Sequence, residues 1–318
     1  MRPNIEQFFG FEWQPAICYS GYRRGQSPRE ERYPSIAQIR EDLDLMQPYW
    51  HFLRLYDCSK HAKLVLQAIE EGNYDFKVLL GVDLAAEVSN PDCPWGADYT
   101  DKDLARQRKA NEAQVHAAIK LANAYPDIIF AVSGGNEATV DWTDGLVPVE
   151  RVAGYLKQLR AGISQPLTLC DNYVPWQQKI VPLAELVDFI SIHTYPLWES
   201  IQPDAALAWS IENYESVASL YPDKPVIITE AGWTSRANGR GFQPELASEK
   251  AQQQYLRELM QWGEQKDILI FFFEAFDEPW KGSDDPLEPE KHWGLFYEDR
   301  TPKPAFTVLK ELQAAACK

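Results

Sequence analysis

Residues 127–140 read DIIFAVSGGNEATV. An apolar, partly β-branched run from Ile128 to Val132 breaks into two glycines and then into the polar pair Asn136–Glu137. A continuous short apolar run bounded by glycine predicts a strand buried on both faces, as in a parallel sheet. Helical period follows it. Val152, Tyr155, Leu156, Leu159 and Ile163 fall on one helical face, so the segment is a strand, a polar turn and a returning helix.

The same unit recurs in both directions. Strands are predicted at AICYS (16–20), HFLRLY (51–56), KVLLGV (77–82), DIIFAVS (127–133), LTLC (167–170), DFISIHTY (188–195), PVIIT (225–229) and ILIFFFEAF (268–276). Ile36, Ile39, Leu43 and Met46 mark a helix after the first strand, and Leu256, Leu259 and Met260 one before the eighth. Eight parallel strands with crossover helices predict an α/β fold, a single (β/α)8 TIM barrel over residues 1–318. A doubly wound sheet would carry a glycine-rich phosphate turn after its first strand, and SGYRRGQSP at 20–28 is not one. The longest connections, roughly 83–110 with NPDCPWG inside and 231–247, are either catalytic-face loops or tolerated surface insertions.

Composition is globular, with 45% apolar and 25% charged residues. A net charge of −16 opposes nucleic acid and anionic lipid and leaves a neutral ligand unaffected. No run approaches a membrane span. Five cysteines form neither a disulfide framework nor a CxxC pair, and the five histidines show no HExxH, so no metal or cofactor is expected. There is no GxSxG elbow and no Walker loop. The expectation is of a monomer, cytoplasmic as the chain stands, or periplasmic or secreted if a signal has been removed.

Glu137 stands at the tip of the fourth strand and Glu230, in TEAGWTS (229–235), at the tip of the seventh. They are 93 residues apart, which is three βα units, so both should project into one mouth. Glycoside hydrolysis needs such a pair: one carboxyl protonates the leaving oxygen and the other attacks or activates water. Taken singly, either could instead cap a helix or pair with an arginine.

GNE (135–137), TEAGWTS (229–235), RLYD (54–57), IHTYP (192–196) and FEAFDEPWK (273–281) together resemble glycoside hydrolase family 17, in family order along the chain. The resemblance is to its bacterial and fungal members; the seventh-strand loop reads AGWTS where plant members often carry TGWPS, and His193 stands where they have asparagine. It implies a retaining β-1,3-glucanase acting on a β-glucan oligo- or polysaccharide of laminarin type, with Glu137 as acid/base and Glu230 as nucleophile. A β-1,3-glucanosyltransferase would share those residues, and a sugar-binding barrel that has lost catalysis would usually have lost one of them.

Asn136 could donate to a sugar hydroxyl or simply shape the turn. Lys281 and Glu278 follow the eighth strand, where a lysine near Glu230 would keep it ionised, or where the two form a surface ion pair. Glu274 is expected to face the cavity, since it would otherwise be an unpaired charge among aromatics. Tyr19, Tyr56, Tyr195, Trp233 and Trp280 fall at strand ends and could stack on pyranose rings, with Trp233 and Tyr195 favoured. His193 belongs to the IHTYP segment. Arg54 and Asp57 either organise the barrel mouth or make a structural ion pair.

Overall fold

A computed structural model describes residues 2–316. The strands are β1 (Ala16–Cys18), β2 (Phe52–Leu55), β3 (Lys77–Gly81), β4 (Ile129–Asn136), β5 (Leu167–Asn172), β6 (Ile190–His193), β7 (Val226–Gly232) and β8 (Ile270–Phe273). Each pairs in parallel with its sequence neighbour, and β1 pairs with β8, closing the barrel. The strands are buried on both faces, as their unbroken apolar runs require. Around them lie α2 (Ile36–Met46), α3 (Lys60–Gly72), α4 (Asp101–Ala124), α5 (Val149–Gly162), α7 (Ala206–Ala218) and α8 (Glu249–Lys266), with short α1 (Ile5–Phe9) and α6 (Tyr173–Gln177) and a last helix, α9 (Phe306–Ala316).

All eight expected strands are present, with shifted ends. β7 runs on through Gly232, so Glu230 lies within it rather than beyond it. β8 stops at Phe273, and Glu274–Phe276 leave the barrel to pair with the chain near Leu295 and Phe296. The connection after β3 is shorter than expected, because Thr100 opens α4 with a capping box through Asp103. The N-terminal end of the barrel is plugged by α1 and the residues after it: Phe9 meets Phe130 and Phe189, and Phe11 meets Phe52, at ring separations of 4.6–5.5 Å. No motif in the N-terminal sequence announces that plug.

Register slips at the other end shape the mouth. β4 slips against β5 between Ser133 and Asn136, and β7 against β8 between Ile228 and Ala231. Such bulges re-aim side chains. Gly232 is needed beside the second, where a Cβ would lie 2.1 Å from the Phe273 carbonyl oxygen.

Candidate active site

The C-terminal mouth opens into a cavity of about 1170 Å³ lined by Glu137 and Glu230 together with Asn136, Tyr195 and Trp280. Glu230 is buried. Arg54 Nη1 donates to its Oε1 at 2.5 Å, and the Tyr195 hydroxyl donates to its Oε2 at 2.6 Å. Burial alone would raise this carboxyl, but His193 and Arg54 carry opposite charge and Tyr195 and Arg54 donate to it, so its pKa falls to about 2. The group is therefore a carboxylate at any ordinary pH.

Glu137 is more open, with 28% of its side chain exposed. Its backbone sits in the left-handed region at φ 45°, and its N–H donates to the Cys170 carbonyl at 2.9 Å. A non-glycine residue there costs conformational energy, and the clamp to β5 holds it. Asp171 secures the same turn, accepting from the Thr139 hydroxyl at 2.7 Å and the Asn172 N–H at 2.8 Å. Burial, together with the charge of Glu137, outweighs these bonds and lifts Asp171 to about 7.

His193 lies fully buried between the two acids. Its Nδ1 is 2.9 Å from Glu137 Oε1 and 3.6 Å from Glu230 Oε2. Burial works against its charge, yet Glu230, the Cys170 thiol beside the ring and Glu137 together push it up to about 10. It is an imidazolium at neutral pH and donates to Glu137. One oxygen of each carboxyl and one ring nitrogen of His193 lie within 4.8 Å of one another, a spacing that would also suit a cation. Arg54 and His193 already supply two positive charges there, so the trio reads as an ion-paired acid site.

The other expected residues divide. Asn136 Oδ1 accepts from Arg54 Nη2, leaving its NH2 group to the cavity it lines. The Tyr56 ring lies 4.5 Å under the Arg54 guanidinium. Tyr56, Asp57, Glu278, Trp280 and Lys281 line the cavity. Four expectations are corrected. Trp233 is wholly buried on the far side of β7, giving its indole N–H to the Leu246 carbonyl at 2.9 Å, and is not a sugar platform. Lys281 does not reach Glu230; its ammonium holds both oxygens of Glu274, at 3.0 and 2.9 Å, and Glu278 at 2.5 Å. Glu274 is not among the cavity-lining residues, because that lysine pairs it beneath the surface. Asp57 does not pair with Arg54, which is committed to Glu230, Asn136 and the Thr229 carbonyl; Asp57 instead accepts from the Ser59 N–H. Tyr19 reaches the cavity wall, but its hydroxyl is directed to Asp42 at 3.1 Å.

Several lining aromatics are additional to those expected: Trp95, Trp142, Tyr173, Trp198 and Trp293. Trp293 sits in KHWGLF (291–296), just past the strand-eight segment; its ring meets Tyr195 at 5.2 Å and its buried indole N–H has no partner. A polar donor withdrawn from water beside a cavity marks a ligand contact.

The family model described as the BtgE/BtgC glycoside hydrolase domain matches residues 16–294 of this chain. The chain belongs to that family. This glycoside hydrolase is 27% identical over 280 residues to the glucan 1,3-beta-glucosidase of Schizosaccharomyces pombe, across 82% of this chain and 78% of that protein. It is 25% identical over 298 residues to the btgC protein of Aspergillus niger, spanning 86% of this chain and 40% of that longer one. Among solved structures it resembles an endo-laminarinase from Formosa Hel1_33_131, with a TM-score of 0.79 and 25% identity over 95% of this chain and 87% of that one. The family agrees with the resemblance carried by the motifs.

Proposed function

We propose that the chain is a retaining glycoside hydrolase of β-1,3-linked glucan, with Glu230 as nucleophile and Glu137 as acid/base. One observation carries the reading: oxygens of the two carboxyls lie within 4.8 Å of each other across the mouth. Retaining enzymes space their carboxyls at about 5–5.5 Å, whereas inverting ones leave about 6.5–9.5 Å for a water. The asymmetry of the pair supports the division of labour, since the buried, doubly hydrogen-bonded Glu230 is held ionised and the more open Glu137 faces the exit. The glucan activities named for the relatives support the substrate class.

In the first step a Glu230 oxygen bonds to the anomeric carbon, the glycosidic C–O bond breaks and the Glu137 proton passes to the departing oxygen. In the second, a water proton passes to Glu137, its oxygen bonds to the anomeric carbon and the Glu230 ester is released as carboxylate. Tyr195 and Arg54 take back the charge that Glu230 surrenders and regains. Laminarin should release reducing ends, with a β-anomer formed first by proton NMR, while cellulose, xylan and chitin should not react. An α-anomer formed first, or equal rates on cellulose, would overturn this reading.

A further inference from the structure

Two large aromatic side chains stand out among the described residues: Trp95, 61% exposed, and Trp142, 41% exposed. Neither contributes to the hydrophobic core, and both line the same cavity as the two acids. Exposed indole held at the edge of a deep polar cleft has no packing reason and suits the apolar face of a sugar ring.

The loops that carry them are bound to each other rather than free. The Asn90 amide donates to the carbonyls of Asp141 and Thr143 at 2.8 and 2.7 Å, and the Cys93 thiol to the carbonyl of Trp142 itself at 3.1 Å. Asp144 accepts from the Ala97 N–H at 2.7 Å and the Tyr99 hydroxyl at 2.6 Å. Below them the Glu87 N–H donates to the Leu146 carbonyl at 3.0 Å. The connections after β3 and β4 are therefore one rigid piece, and its aromatic faces are positioned in advance.

That piece begins at Glu137, five residues before Trp142. The leaving group departs against the group that protonates it, so the flank beyond Glu137 receives the departing chain and, in the reverse sense, any sugar that attacks the glycosyl-enzyme. We propose that Trp95 and Trp142 form a platform for an acceptor β-1,3-glucan, so that this chain transfers glycosyl units to sugar as well as to water. This rests on the catalytic reading above. In the transfer step an acceptor hydroxyl gives its proton to Glu137, its oxygen bonds to the anomeric carbon and the Glu230 ester bond breaks.

The test uses an aryl β-laminaribioside as donor and laminaribiose as added acceptor, comparing the full chain with Trp142→Ala and Trp95→Ala/Trp142→Ala. In the unaltered chain, added acceptor should raise phenol release and give products longer than the donor. In the double variant the ratio of transfer to hydrolysis should fall about tenfold, with the loss of phenol release in the absence of acceptor at least tenfold smaller than the loss of transfer. Both residues are exposed, so thermal melting should barely change. Loss of acceptor-free phenol release with the transfer ratio intact would place the platform on the donor side and overturn the proposal. An unaltered chain that cleaves the donor but makes no longer product also overturns it, and leaves the hydrolase reading standing. No phenol release from the unaltered chain would sink both.

Discussion

Arg54 Nη1 reaches Glu230 Oε1 at 2.5 Å, with only 2% and 7% of the two side chains exposed. Removing one partner of a buried pair leaves the other charge uncompensated, at about 3–5 kcal/mol. Arg54→Ala should therefore lower kcat/KM by roughly a hundredfold or more, if the altered cation environment appears in the transition state. Its signature is in the pH profile. Arg54 helps hold Glu230 low, so the acid limb of kcat/KM should move to higher pH in the variant and move less in Arg54→Lys. An unmoved limb would mean that Arg54 shapes the fold without tuning the nucleophile.

The charges around Glu230 also set a stability window. The folded pKa of Glu230 is depressed to about 2, so its contribution is present above its unfolded value and is lost as pH falls through about 2. His193 is raised to about 10, so its contribution is present below its unfolded value and is lost as pH rises through about 10. Both are complete only between about pH 4.5 and 6.5. The melting temperature gap between the unaltered chain and Glu230→Gln should be widest there and narrow towards pH 2 and pH 10. A gap independent of pH would contradict the ion-pair account.

Lys281 makes its own prediction because it holds two buried carboxylates at once. Lys281→Met should destabilise the chain by about 3–5 kcal/mol, measured by denaturant unfolding. Adding Glu274→Gln to that variant should restore part of the loss, since one uncompensated charge disappears; the two substitutions touch one network and should be strongly non-additive. The loss should also shrink as pH falls and the orphaned carboxylates protonate. Additive effects at every pH would show that the ammonium is not the link between Glu274 and Glu278.

The barrel was legible because its strands are buried on both faces and so read as unbroken apolar runs, and the two acids because each interrupts such a run at its end. Alternation along the strands explains much of the rest. Arg54 and Tyr56 share one parity, as do His193 and Tyr195, and each pair reaches the site. Trp233 has the opposite parity to Glu230, so it turns outward to meet Tyr255 on α8 at 5.7 Å; closeness to a motif misled where period two was the better guide. Partner choice was not legible at all. Whether Arg54 or Lys281 meets Glu230 depends on how β2 and the segment after β8 converge, which no spacing along the chain encodes. Trp95 and Trp142 escaped notice for a similar reason: the loops after β3 and β4 are joined by side-chain bonds to backbone carbonyls, which leave no periodic trace.

The roles of the two acids can be separated by what each does to the leaving group. A glucan departs as a poor leaving group and needs protonation, whereas an acidic phenol does not. Glu137→Gln should therefore keep glycosylation on an activated aryl laminaribioside while losing laminarin cleavage by roughly two to four orders of magnitude, the usual worth of general acid catalysis. Release of the glycosyl ester should slow as well, because the same group must later accept the water proton. Azide needs no such base, so it should rescue this variant and yield a β-glycosyl azide. Glu230→Gln should fail on both donors, since no ester forms. Rescue of a smaller variant, Glu230→Ala, should give the α-azide, because the anion then attacks from the side the carboxylate vacated. Exchange of these behaviours between the two positions would reverse the assignment within the same site. Full activity in both would move the chemistry elsewhere, and Glu278, which lines the cavity, would be the first to test.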